Sequence, residues 1–191
     1  MVKSLFYLYL LGVRLGALGV SAVNESFERQ TASTEANLKS KHASAFLFPQ
    51  DIRVHSQLHT PYGMFACEPY QRIDRAAPAE AIAAAVRIAL QHAREQAEMP
   101  PGSGKDIMKA YLVGMGVRSN AELQRKSRYV GIEQAADLAF HPTHNGGTSG
   151  DGKGFQPIPG VDAIRVPITA APADVAAALL RAFELCTSIY D

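Results

Sequence analysis

The sequence has few of the residue patterns that identify a catalytic or ligand-binding site. It has two cysteines in 191 residues, and its nineteen basic side chains nearly balance eighteen acidic ones. A small domain stabilised by disulfide bonds would contain several cysteine pairs. We therefore expect Cys67 and Cys186 to be reduced and buried. Because the positive and negative charges nearly balance, the protein has no overall electrostatic attraction for a nucleic acid or an anionic membrane. Neither is therefore an expected partner.

Long hydrophobic runs are also missing. The N-terminal apolar run, residues 5–11, is far shorter than the roughly 18 residues that span a bilayer, so no membrane anchor is expected. A secretory signal is the alternative there, because Val20-Ser21-Ala22 imitates a cleavage site, but Arg14 and three glycines interrupt the apolar region. We therefore predict strands at 4–11, as a central strand, and at 13–23.

Hydrophobic spacing predicts the remaining elements of one domain, which the 47% hydrophobic content can support. Apolar residues four apart predict a helix at 78–98 and an alanine-rich helix at 172–187. Ser119 and Glu122 have the spacing of a capping box. Shorter helices are predicted at 105–115 and 119–126, and strands at 45–48, 62–67, 128–133, 136–141 and 162–167, with Pro142 closing the fourth.

Residues 145–160 are predicted to form a long exposed loop. This segment contains six glycines and two prolines in sixteen positions. Such a composition continues neither a helix nor a strand ladder.

A nucleotide-binding loop is imitated by Pro100-Pro101-Gly102-Ser103-Gly104-Lys105, but the pattern is incomplete. A phosphate-binding loop needs a first glycine and, after its lysine, a hydroxyl that binds magnesium. Met99 and Asp106 occupy those two positions, and the preceding element is a helix. We therefore predict a turn between two helices and no nucleotide cofactor.

Histidines offer the other candidate chemistry, since His141 and His144 bracket Pro142 and could be joined by His55 and His59. A zinc site needs three or four ligands, and no cysteine or carboxylate is spaced to complete one. No nucleophile elbow is present either. We therefore predict no metal, no cofactor and no catalytic residue, with a small histidine-dependent or metal-dependent hydrolase as the alternative function.

One stretch combines charged and aromatic side chains in the manner of a protein interface. Tyrosine and arginine carry many interface hot spots because they offer area and hydrogen bonds together. Surface loops around a strand are the plainer interpretation. The candidate partner-binding residues are Tyr62, Phe65, Glu68, Tyr70, Arg72, Asp74 and Arg75.

The last 80 or so residues carry a resemblance to a known family. The relevant motifs are Val117-Arg118-Ser119, Leu123, Phe140-His141-Pro142-Thr143-His144, Val166-Pro167, Pro172-Ala173-Asp174-Val175-Ala176-Ala177-Ala178-Leu179, Ala182-Phe183 and Cys186. In this order they resemble the immunity proteins of bacterial contact-dependent growth inhibition (CDI) systems. Ala176 departs from the family's usual glycine, and the 145–160 loop is longer than expected.

This resemblance implies a function without catalysis. It implies a cytoplasmic, otherwise monomeric protein that binds and neutralises the C-terminal toxin domain, often a nuclease, of a cognate effector. The implied fold is a single α/β (α+β) domain over residues 1–191, with a mixed, mainly antiparallel sheet packed by helices and a C-terminal Ala-rich helix. A generic protein-interaction domain is the remaining alternative.

Overall fold

The computed structural model describes residues 40–95 and 98–191. The strands predicted at 4–11 and 13–23 lie outside these residues. Among those described, no helix is long and apolar enough to cross a membrane. The elements in chain order are β1 (Lys41–Leu47), β2 (Asp51–Thr60), β3 (Gly63–Asp74), α1 (Ala79–His92), α2 (Gly104–Gly114), α3 (Asn120–Lys126), β4 (Arg128–Gln134), β5 (Leu138–Asn145), β6 (Phe155–Pro157), β7 (Ile164–Val166), α4 (Pro172–Leu185) and β8 (Thr187–Ser188).

The strands form one mixed, mainly antiparallel sheet, which confirms the predicted fold class. Their order is β3-β2-β1-β4-β5-β6, and β7 and β8 also pair with β5. Strand β8 runs parallel to β5, whereas the other pairs are antiparallel. Strand β3 therefore forms one edge of the sheet.

Helices α1 and α4 cover one face of this sheet and bury the main core against it. Ile82, Val86 and Leu90 of α1 are all buried, as their four-residue spacing predicts. Val175 and Phe183 of α4 face the same core. The predicted alanine-rich helix is thereby confirmed, and its alanines allow the two helices to pack closely on the strands.

Helix α1 ends at His92, six residues before the predicted end. Ala93 has extended backbone angles, and its N–H donates to the Leu90 carbonyl. The next residue, Arg94, bonds through its N–H to Gln57 and through its carbonyl to His59. The chain leaves the helix because this backbone pairs with the part of β2 that β1 does not reach.

The opposite face of the sheet carries a smaller cluster under α2 and α3, built around Phe46, Phe48, Met115, Leu123 and Phe155. Helix α2 begins with a complete capping box between Ser103 and Asp106. At α3 only half of the predicted box forms. Ser119 accepts from the Glu122 N–H, whereas the Glu122 carboxylate accepts from the Arg118 N–H.

The predictions for the strands and for the 145–160 loop need three corrections. Strand β2 was not predicted, and β5 continues through Pro142, which lies opposite Val130. Beyond the proline, the Thr143 hydroxyl donates to the Tyr129 carbonyl and continues the pairing. The predicted 145–160 loop is also partly ordered, because β6 pairs with β5 and buries Phe155.

Replacing Gly114 by alanine is expected to lower the free energy of unfolding by about 1–3 kcal/mol, the cost of overpacking. A Cβ there would lie 2.6 Å from a ring carbon of Tyr70. Gly104, in the same helix, has no atom within 4 Å of an added Cβ. Gly104→Ala should therefore be neutral or stabilising by up to about 1 kcal/mol.

Urea unfolding of the two variants checks this expectation. Adding Tyr70→Leu to Gly114→Ala should recover part of the loss, because the smaller side chain removes the clash. Equal stability of the Gly104 and Gly114 variants would contradict the close packing of α2 on β3.

Candidate functional site

The seven sequence-predicted interface residues lie on the edge strand β3 and its two flanking turns. Tyr62 is 70% exposed in the turn before the strand. Glu68, Arg72 and Asp74 are exposed along it, and Arg75 is exposed just beyond it. The structure therefore brings five of the seven together along one exposed edge.

The two other candidates, Phe65 and Tyr70, are less accessible. Phe65 is 3% exposed and belongs to the buried apolar set. Tyr70 packs beneath α2 with its ring 5.5 Å from that of His55. Burial raises the pKa of Tyr70 to about 12, so the hydroxyl stays protonated at neutral pH. Truncating either side chain would disturb the fold as well as any interface.

Arg72 is held in place by a buried carboxylate on the neighbouring strand. Asp51 is 4% exposed and accepts from Arg72 Nε at 2.6 Å and from Arg53 Nε at 2.6 Å. Arg53 also donates to the Met115 carbonyl and lies over the Phe48 ring. A charge so fixed loses little conformational freedom if a partner binds it.

A groove lies beside this edge, on the sheet face opposite α1 and α4. Its volume is about 370 Å³. Helix α2 forms one wall through Ile107, Met108 and Tyr111, and the segment after β6 forms the other through Ile158 and Val161. The floor is made by β1, β2, β4 and β5, and it includes Phe46, His55, Tyr129, Gly131, Glu133 and His141.

Aromatic rings crowd the deep part of this groove. The Phe46 ring lies 4.9 Å from Tyr129, 5.7 Å from Phe155 and 5.9 Å from His55, measured between ring centroids. Tyr111 meets His55 edge-on at 5.6 Å. These ring contacts pack the apolar lining of the groove.

His55, which lines the groove, has one buried and unsatisfied polar atom. Its Nδ1 lies 2.9 Å from the Ser56 carbonyl, and since a carbonyl only accepts, Nδ1 carries the proton. Nε2, at the far end of the ring, is buried without a hydrogen-bond partner. Burial lowers the pKa of His55 to about 4, so Nε2 presents a bare lone pair at neutral pH.

Three histidines and two carboxylates gather at the mouth of the groove, a grouping that sequence spacing did not reveal. His141 Nε2 lies 3.4 Å from Glu133, and His59 Nδ1 lies 3.1 Å from Glu95. The His42 ring is 6.5 Å from His59, and burial lowers the pKa of His42 despite the nearby carboxylates. Within residues 40–95 and 98–191, no three such side chains are placed to hold a metal ion.

The other candidate motifs do not join the groove. His144, three residues after His141 on β5, bonds the Thr187 hydroxyl instead. Ser103 and Asp106 of the imitation phosphate loop cap α2, and Lys105 is exposed. Both described cysteines are free thiols; Cys186 is buried as predicted, whereas Cys67 is only half-buried.

Together, the sheet edge and the groove define an α+β domain whose second sheet face, beside α2, is grooved. Residues 41–186 match the model of the CDI immunity protein family. The chain therefore belongs to that family, which confirms the resemblance carried by its C-terminal motifs.

Solved structures share this fold. A Neisseria meningitidis protein of unknown function is 13% identical, with a TM-score of 0.62, over 78% of this chain and 96% of that one. The CdiA-CT/CdiI toxin and immunity complex from Yersinia pseudotuberculosis is 15% identical, with a TM-score of 0.61, over 78% and 98%. No curated protein gave a significant match.

Proposed function

We propose that this protein binds the C-terminal toxin domain of a cognate CDI effector in the cytoplasm and blocks its activity, which we take to be that of a nuclease. Membership of the CDI immunity protein family over residues 41–186 is the observation that carries this proposal. The Yersinia pseudotuberculosis structure that shares the fold is a toxin and immunity complex, which supports a protein partner. Inhibition by binding requires a complementary surface and no reacting group of the chain itself.

The edge of β3 is the proposed contact surface. It combines an exposed aromatic residue, Tyr62, with an arginine fixed by ion pairing, Arg72, and a further exposed arginine, Arg75. Aromatic and arginine side chains at a rigid edge are typical anchors of protein interfaces. The sheet face under α1 and α4 is buried in the core, so the proposed approach of the partner is along the β3 edge and the groove beside it.

The purified chain is expected to form a one-to-one complex with the toxin domain encoded by the upstream gene. Effective protection needs a dissociation constant near or below the nanomolar range. Size exclusion of the mixed proteins should give one peak containing both, and the complex should no longer cleave RNA or DNA. Separate elution at micromolar concentrations would refute the proposed function.

Variants of the β3 edge test the surface separately. Tyr62→Ala and Arg75→Ala should each weaken binding by about fivefold or more, because an interface anchor is worth at least 1 kcal/mol. Their melting temperatures should stay close to that of the unaltered protein, since both side chains are exposed. Arg181→Ala, on the exposed side of α4, is the matched control and should leave affinity intact.

A further inference from the structure

We propose that the groove receives a lysine or arginine side chain of the toxin domain, which passes Glu133 at the mouth and places its stem and charged end among the aromatic rings that surround His55. The inference rests on the proposed function and specifies the chemistry of recognition. Three independent features of the groove lead to a basic occupant.

The first feature is charge. Among the described residues that line the groove, Glu133 carries a carboxylate and none is a lysine or arginine. Glu95 adds a second carboxylate through its contact with His59 at the mouth. A carboxylate lining without lysine or arginine attracts a positive side chain and repels a carboxylate or a phosphate.

The second feature is the aromatic lining. Phe46, Tyr111, Tyr129 and Phe155 surround the deep part of the groove. Ring faces attract ammonium and guanidinium groups, and the attraction grows where water is excluded. The apolar stem of a lysine or arginine gains contact with the same rings, so both parts of one side chain are satisfied.

The third feature is the unpaired acceptor. His55 is 3% exposed, and its Nε2 has no partner. A buried polar atom left unsatisfied costs free energy, and a donor that arrives with a partner removes that cost. A basic side chain brings several N–H donors, whereas a carboxylate brings none.

Filling the groove from its floor tests the proposal directly. Gly131 lies on the floor, and an added Cβ would meet only ordinary contacts, 3.5 Å from the Tyr129 hydroxyl and 3.7 Å from His141. Gly131→Phe should therefore weaken toxin binding at least tenfold in a calorimetric titration. Gly131→Ala, which leaves the groove open, is the matched control and should stay within twofold of the unaltered chain.

Removing the carboxylate gives a second test that does not depend on how the groove repacks. Glu133 is partly exposed, so Glu133→Gln keeps the shape and should leave melting unchanged. It should weaken binding about fivefold. Glu184→Gln, an exposed change on α4, should have no effect.

A scan of the toxin identifies the occupant. Each exposed lysine and arginine of the toxin domain is replaced by methionine and titrated against the unaltered chain and against Gly131→Phe. One replacement should cost at least tenfold with the unaltered chain and less than twofold with the filled groove. The inference would be overturned if the toxin residue whose replacement loses its effect with the filled groove were acidic or apolar. It would also be overturned if Gly131→Phe and Glu133→Gln both bound the toxin with unchanged affinity. Either result would leave toxin binding itself in place. Failure of the unaltered chain to bind would overturn both proposals.

Discussion

Phe183→Ala is expected to lower the free energy of unfolding by about 3–5 kcal/mol, as large-to-small changes of buried phenylalanine generally do. Phe183 is 1% exposed and lies in the main core between α4 and the sheet. The loss combines the transfer of the ring from water with the cavity that it leaves. Urea unfolding followed by circular dichroism measures it.

The matched control is Leu180→Ala on the same helix, where the side chain is 36% exposed and outside the core. Its loss should be below about 1 kcal/mol. Affinity of folded Phe183→Ala for the toxin domain should persist, because α4 packs on the face opposite the groove. A large drop in affinity at full folding would contradict the proposed division between scaffold and binding surface.

Acidification from pH 7 to pH 4 is expected to destabilise the protein through His55. The pKa of this histidine falls from its ordinary 6.5 to about 4 in the folded state because burial disfavours the charged ring. Between these pH values the unfolded chain binds a proton that the folded protein does not. Stability therefore falls as the pH drops through this window, by about 3 kcal/mol in total.

His55→Phe isolates this contribution, because phenylalanine keeps the ring contacts with Phe46, Tyr70 and Tyr111 but cannot titrate. Unfolding free energies of the two proteins are compared at pH 7 and at pH 4. The stability of His55→Phe relative to the unaltered protein should be about 3 kcal/mol greater at pH 4 than at pH 7. Parallel pH profiles would show that folding does not lower the pKa of His55.

The helices were predictable because their signal is local. In α1, Ile82, Val86 and Leu90 repeat every four residues, and all three enter the core. The end of α1 was not predictable, since it depends on the pairing of Arg94 with β2, which is distant in sequence. Local periodicity identifies which face is buried, but a helix end is decided by tertiary contacts.

Strand β2 escaped prediction because its polar residues face the second cluster and the groove. His55 and Gln57 line the groove, and Ser56 interrupts the apolar series of Ile52, Val54 and Leu58 on the other face of the strand. A strand with that composition resembles a surface loop. The groove could not be predicted either, because its residues come from strands that only the sheet order brings together.

The candidate interface was predicted in part. Tyr62 and Tyr70 were both predicted as interface residues from their side-chain type alone. In the structure, Tyr62 lies in an exposed turn, whereas Tyr70 packs beneath α2. Composition cannot separate these two roles, since a tyrosine suits a half-buried packing site and an interface equally well. The edge position of β3 supplies the missing distinction.

Strand β5 sets the order in which the protein can be completed during synthesis. Its final residues pair with β8, and the His144 ring bonds a threonine hydroxyl 43 residues later. The Asn145 carbonyl likewise accepts a hydrogen bond from the Ile189 N–H. Pairings between distant segments form late and slow folding. A nascent chain therefore cannot complete the pairing of β5 until residue 189 has left the ribosome.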